Sequence, residues 1–274
     1  MTLDKSRKLL DLGSSSPGPV VVLTGAGISA ESGVPTFRGE EGYWTVGSKN
    51  YHPMEFATQQ AFREMPEEVW RWYLYRRSVC RRAKPNAAHE ALVRLEHALG
   101  DRFLLITQNV DGLHLRAGSS MARTYQIHGN IDFMRCEGRT DLVPIPLEVG
   151  EEWGPDSPFT ADARRRLSCC DGDSLSRPHV LWFDEYYDEA LFHFESSLRA
   201  AASAALLIVV GTSGSTNLPM QVGGIAARRG IPMIVINRDP SPFSRFAEES
   251  PAGHFVQGSA GEHLPAMVEH LLSR

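Results

Sequence analysis

VVVLTGAGISAESGVPTFRG, residues 20–39, decides how the rest of the chain is read. Its first residues, Val20, Val21, Val22 and Leu23, form the unbroken aliphatic run of a strand buried on both faces. Gly25 and Gly27 follow, residue types that admit positive φ and close backbone approach. The amides of residues 25–28 can then face a diphosphate at the start of the next helix. With Ser29 and Ala30 the spacing is the G-x-G-x-x-A form of the dinucleotide fingerprint. An ordinary strand-to-helix turn fits the same positions. The acidic residue expected about twenty positions further on, at the end of a second strand, is missing, and residues 33–39 read as a loop. A plain dehydrogenase is therefore not implied.

The 274 residues are 42% hydrophobic and 22% charged, enough for one large domain with or without a small satellite. A net charge of -5 argues against nonspecific nucleic-acid binding, although Arg76, Arg77, Arg81, Arg82 and Lys84 form a local cluster suited to an anion. No apolar run approaches the roughly 18 residues that span a bilayer. The opening MTLDKSRKLLDLGSSSPGP is too polar for a secretory signal, so a cytoplasmic monomer without membrane contact is expected. The four cysteines, Cys80, Cys136, Cys169 and Cys170, suit a reducing compartment and leave no disulfide scaffold.

Along the chain, residues 3–12 read as a short amphipathic helix and residues 66–82 as a helix within a polar, aromatic insertion that starts after Gly39. Residues 86–99 are a helix stopped by Gly100, and 103–107 a second buried strand. Residues 125–128 are a short extended piece, and 131–177 an irregular second insertion. The extended segment 179–183, the helix 188–202, the strand 205–210, the helix 219–229 and the strand 232–237 follow. Such alternation predicts an α/β fold, a Rossmann-type parallel sheet with helices on both faces. Its ligands should sit at the carboxyl ends of the strands. The large part takes in about 1–39, 84–130 and 178–274, and the small part about 40–83 and 131–177.

The residues just past each strand are then the ones to read. They are Gly25 to Ser29, then Gln108, Asn109, Val110 and Asp111, then His128 with Gly129 and Asn130, then Gly211, Thr212 and Ser213, and finally Asn237, Arg238 and Asp239. Taken singly, each fits a helix cap or turn equally well. His128 is the one titratable group among them suited to taking a proton near neutrality.

Together, GAGISAESGVPTFRG, TQNVDGLH, QIHGN, RPHVLWFDE, GTS and INRD closely resemble the sirtuins, the NAD-dependent protein lysine deacylases, over nearly the whole chain. The resemblance implies a Rossmann-type large domain and a small domain built from two insertions. It also implies that NAD is held by Gly25, Ala26, Gly27, Ser29, Ala30 and the loop through Pro35, Thr36, Phe37, Arg38, Tyr43 and Trp44. Gln108, Asn109, Val110 and Asp111 would surround the nicotinamide ribose. Gly211, Thr212, Ser213, Asn237, Arg238, Asp239 and Ala260 would serve the adenosine half. An acyl-lysine peptide would pair as a strand with the segment holding Leu181, Phe183 and Glu185. In this family the acyl oxygen attacks the ribose carbon that bears nicotinamide, and the histidine of the HG motif then activates a ribose hydroxyl. The products are free lysine and O-acyl-ADP-ribose. His128 holds that place here, with Asn109 and Asp111 beside it.

Tyr73 and Arg76 share a helix face, where a phenol and a guanidinium can grip a carboxylate. A core tyrosine beside a solvated arginine fits the same spacing. Tyr-x-x-Arg, the small Ala57 and Thr36 resemble the sirtuins that remove succinyl, malonyl and glutaryl groups. Most sirtuins carry two CxxC-like pairs for zinc. Here Cys136 is followed at the third position by Arg139, and the second pair has become adjacent Cys169 and Cys170, with Asp173 nearby. Three thiolates with an aspartate or water remain a zinc option. The preferred reading is a metal-free small domain packed around Trp153, Phe159 and Leu167. Alternatives are a plain deacetylase, an ADP-ribosyltransferase, and an NAD-sensing module without turnover.

Overall fold

The computed structural model describes residues 2–35, 44–46, 49–150, 152–172 and 174–273. Thr36, Phe37, Arg38, Tyr43 and Asp173 lie outside these residues, while Trp44 opens the hairpin strand Trp44–Val46, paired with Lys49–Tyr51.

The main sheet has six strands, which we label β1 (Val20–Thr24), β2 (Phe103–Thr107), β3 (Thr124–Gln126), β4 (Leu206–Val210), β5 (Met233–Asn237) and β6 (Gly253–Gln257). Every pairing is parallel, and the spatial order is β6-β5-β4-β1-β2-β3. This is the doubly wound order whose direction reverses between β1 and β4, the place where such sheets take their ligands, in a crevice at the carboxyl edge. Side chains alternate across β1. Val20 and Val22 join Leu10, Leu92 and Leu264 on one face, and Val21 and Leu23 join Val222 and Phe243 on the other. Both faces of the strand are fully buried, so the run needs no polar alternation.

Several expected elements are sharper or different in the structure. The helix Pro66–Arg82 and the strand β2 fall where expected, and Asn86 caps Ala87–Leu99 by accepting from the amides of Ala88 and His89. The first helix runs further, Thr2–Ser15. The helix expected over 188–202 is two helices, Glu189–Phe192 and Phe194–Ser203, because His193 between them takes φ 52, ψ 43. Residues 179–183 do not join the parallel sheet. Instead Arg177–Val180 pairs antiparallel with Gly129–Arg135, which pairs in turn with Val143–Pro144. Gly129, at φ 85, makes the departure: a Cβ there would lie 2.1 Å from the His179 carbonyl oxygen. This small sheet packs with Phe56, Trp70, Tyr73, Leu167 and Trp182 into a separate core, against which Trp153 and Phe159 rest.

Cys136 and Cys169 are joined as a disulfide, which corrects the expectation of four reduced thiols. Cys80 is buried and Cys170 exposed, both as free thiols. Among the described residues no cluster of three or more histidine, cysteine, aspartate or glutamate side chains is arranged to hold a metal. Nor is any helix there long and apolar enough to cross a membrane.

Candidate active site

The glycine loop leaves β1 in an unexpected way. No long helix follows; two single 3-10 turns do, Ala26–Ile28 and Ala30–Ser32, and the described part of the loop ends at exposed Pro35. Gly25 is extended, at φ -127 and ψ -171, and Gly27 is not at positive φ either. Close approach is what both glycines supply. The amide of Gly25 donates to the Val210 carbonyl at 3.0 Å and that of Gly27 to the Gly211 carbonyl at 2.8 Å. A Cβ on Gly25 would stand 2.7 Å from the Thr212 Cβ, and one on Gly27 2.7 Å from the Gly211 Cα. The loops after β1 and β4 therefore touch backbone to backbone, where side chains would hold them apart.

Beneath this contact the loop after β2 builds a buried polar cluster. Asn109 donates through Nδ2 to the Gly25 carbonyl and to Ser29 Oγ, each at 3.1 Å. Ser29 Oγ donates to Asp111 Oδ2 at 2.7 Å, and the Leu113 amide donates to Asp111 Oδ1 at 2.9 Å. Burial raises the Asp111 carboxyl above the usual carboxylate range, while those two donors pull it down. Gln108 Nε2 donates to Thr212 Oγ1 at 2.9 Å, and its Oε1 accepts from Thr216 Oγ1 at 3.1 Å. Val110, between them, accepts from the Ile131 amide and packs on the small core.

His128 lies just beyond β3, with its ring spanning two partners. Nδ1 is 2.9 Å from the Gln108 carbonyl oxygen and Nε2 is 2.8 Å from the Tyr187 hydroxyl. The carbonyl has no proton to give, so the neutral ring carries its proton on Nδ1 and offers a lone pair at Nε2. Burial pushes the imidazole down to about 4, against the opposing Gln108 carbonyl, and the ring is neutral at pH 7. Next to it Asn130 donates to Gln126 Oε1 and accepts from the Asp132 amide.

The other expected nucleotide residues follow β4, β5 and β6. Asn237 Nδ2 donates to the Thr212 carbonyl at 3.2 Å, which brings the ends of β4 and β5 together. Ser213 Oγ lies 2.8 Å from Ser215 Oγ, and Arg238 and Asp239 are exposed. Ala260 is buried in the first turn of Ala260–Leu272. A contact invisible in the sequence closes this end: Glu31 accepts from Ser259 Oγ at 2.8 Å and from the Gly261 amide at 2.7 Å.

On the small lobe, the Trp182 indole donates to the Tyr73 hydroxyl at 3.0 Å. The Arg76 guanidinium lies 5.1 Å from the centre of the Trp72 ring. Burial raises the Tyr73 phenol, against the Trp182 N–H and the nearby Arg76 charge. Ala57 is buried, and its carbonyl accepts from the Phe183 amide at 3.0 Å. The Leu181 amide donates to the His128 carbonyl, so two backbone donors of the segment proposed to pair with a peptide are spent inside the fold. Glu185 is likewise committed: Arg177 and the Trp182 amide both donate to its carboxylate, at 2.8 and 2.9 Å on Oε2.

Sequence reasoning missed Tyr187, Thr216, Glu31 and Trp182 as neighbours of these residues. Tyr187 and Trp182 stand within the quoted RPHVLWFDE stretch or just past it, but no spacing rule links them to His128 or Tyr73.

A 3-2-1-4-5-6 parallel sheet with a glycine loop at its switch point defines the doubly wound, dinucleotide-binding class. Within that class the chain belongs to the Sir2 family, whose model matches residues 25–217. It is 41% identical over 253 residues to the NAD-dependent protein deacylase of Leptospira interrogans serovar Lai, across 92% of this chain and 93% of that one. To the mitochondrial NAD-dependent protein deacylase sirtuin-5 of Danio rerio it is 36% identical over 267 residues, across 91% of this chain and 82% of that one. A solved structure of a Sir2 homologue in complex with NAD is similar at a TM-score of 0.78 and 37% identity, covering 97% of this chain and 93% of that one.

Proposed function

We propose that this chain is an NAD-dependent protein lysine deacylase that prefers negatively charged acyl groups, succinyl, malonyl or glutaryl. The family supports the deacylase reading. The observation that carries the acyl preference is Arg76 one helical turn from a Tyr73 hydroxyl already fixed by Trp182, with small Ala57 in the same core. An arginine fork beside a neutral phenol donor fits a carboxylate better than a methyl group.

The crevice fits a dinucleotide. Glycines let the loops after β1 and β4 meet at this edge, and a buried carboxylate, amide and hydroxyl lie beside them. The amides of Gly25, Gly27, Ile28 and Ser29 are bonded within the fold, which corrects the expectation that they face a diphosphate. In this reading the diphosphate lies against the loop at Ala26, Gln108, Asn109 and Asp111 orient the inner ribose, and Ser213, Asn237 and Ala260 serve the adenosine. Bound NAD supplies an activated ribosyl group that accepts the acyl group as nicotinamide leaves. His128 is the base for the sugar hydroxyl, through Nε2, the nitrogen opposite the Gln108 contact and 2.8 Å from the Tyr187 hydroxyl. Zinc does not fit the described donors: two of the three cysteines are joined to each other, and position 139 is an arginine.

The test is turnover of matched succinyl-, acetyl- and unmodified-lysine peptides with NAD, read as nicotinamide release and peptide mass. A succinyl peptide turned over at least tenfold faster in kcat/KM than its acetyl partner is expected. Acetyl preference would discard the acyl assignment, and silence on every peptide would discard the enzyme.

A further inference from the structure

Tyr187 approaches the one nitrogen of His128 that is free to act as a base. Its hydroxyl lies 2.8 Å from Nε2, and because the neutral ring keeps its proton on Nδ1, the phenol is the donor. The phenol is not a loose neighbour. Its ring stacks on Phe194 with centroids 6.2 Å apart and planes at 25°, and it packs against the core under the sheet. The Thr216 hydroxyl, which donates to Gln108 Oε1, stands beside the same phenol. A sugar hydroxyl bound at this edge therefore has two ways to reach Nε2: displacing a packed side chain, or passing its proton through it.

We propose that Tyr187 is a second proton-carrying catalytic residue, which receives the proton of the attacking sugar hydroxyl as it passes its own to Nε2 of His128. The inference rests on the deacylase reading above. In the transfer the sugar O–H bond breaks as a new O–H bond forms on Tyr187, and the old Tyr187 O–H bond breaks as an N–H bond forms on Nε2. The phenol ends neutral, the imidazole ends as imidazolium, and the alkoxide oxygen is spent on the acyl carbon. Burial holds the phenol up at about 12, so it is never an anion at working pH and can only relay. Both hydrogen-bonded partners of Nε2 and Nδ1 are thereby assigned, one to transfer and one to orientation.

The experiment compares wild type with Tyr187→Phe on three readouts. These are deacylated product, exchange of labelled nicotinamide into NAD, which precedes the base step, and the ¹⁵N shift of His128 Nε2 in the protein without NAD. A relay lowers product formation by about 10- to 100-fold. It leaves exchange within about threefold and moves Nε2 toward the shift of an unbonded lone pair. Equal loss of product and exchange would make Tyr187 a support for binding, and unchanged product would make it a bystander; either overturns the proposal. A wild type that turns over no acyl peptide sinks the deacylase reading and this inference with it, whereas turnover in wild type isolates the role of Tyr187. Should phenylalanine unfold the loop, 3-fluorotyrosine at position 187 keeps the shape and the hydrogen bond. The rate against pH then changes for a relay and stays unchanged for a spacer.

Discussion

Ser29 donates to Asp111 across 2.7 Å, and this bond ties the loop after β1 to the loop after β2 under the crevice. Ser29→Ala removes that donor and an acceptor of Asn109 together, leaving buried polar groups short of a partner at a cost of about 1–3 kcal/mol. Denaturant unfolding should show the loss, and the KM for NAD should rise about tenfold while the KM for the acyl peptide stays within about threefold. A variant with unchanged stability and unchanged KM would show the bond to be incidental.

Gly211 combines φ 62 with a Cβ position 2.5 Å from the Ile28 amide nitrogen. Gly211→Ala must strain its own backbone and push the loop after β1 away, so a loss above about 2 kcal/mol is expected. Gly230→Ala is the control: it shares the positive φ, but nothing lies within 4 Å of its added methyl. Thermal unfolding of both should show the larger drop for Gly211→Ala.

Arg76→Met should lower kcat/KM for a succinyl peptide by about 100-fold, the worth of a charge-assisted hydrogen bond of roughly 3 kcal/mol, and lower that for an acetyl peptide no more than about threefold. Equal losses on both peptides would assign Arg76 to the fold, through its contact with Trp72.

Acid should destabilise the protein through buried histidines. Burial lowers His128 and His89 from 6.5 to about 4 and His179 to about 3, and it lowers His114 as well. The unfolded chain binds these protons first, so stability is fully present above pH 6.5 and is lost as pH falls toward about 4. Each histidine contributes up to about 1.4 kcal/mol per pH unit in that window. The raised Asp111 acts in the opposite sense, as a single group. Urea unfolding at stepped pH should show the midpoint falling throughout this window; a flat profile would contradict the buried, neutral rings.

Denatured without reductant, the chain should take up alkylating label on Cys80 and Cys170 alone, and after reduction on all four cysteines. Four labelled thiols without reductant would show Cys136 and Cys169 to be reduced.

The parts of the molecule legible in the sequence are those set by short-range physics. An aliphatic run such as residues 103–107 has few alternatives to a buried strand, and Asn86 before a helical period marks a start. The GxGxxA spacing located the crevice, although for a different reason than positive φ: whether Gly25 needs its freedom or its lack of a side chain depends on what lies opposite, here Thr212. GNIDFMR mixes apolar and polar residues without a clean period, and its strand exists because Arg177–Val180 and Val143–Pro144 lie beside it. His193 interrupts a good helical pattern through its backbone conformation. Tyr187 meets His128 only because the chain returns from the small sheet across the end of β3. A contact between residues far apart in the chain cannot be read from local spacing.

The order of the sheet also bears on how the protein is made. β1 emerges early in synthesis, yet its hydrogen-bonding edges are filled by β2 and by β4, whose residues 206–210 come much later. Until those residues leave the ribosome, this aliphatic strand, with the glycine loop at its tip, presents an open edge to other nascent chains. The wall that β4 supplies therefore arrives late, and stalled chains shorter than about 210 residues should be those that chaperones hold.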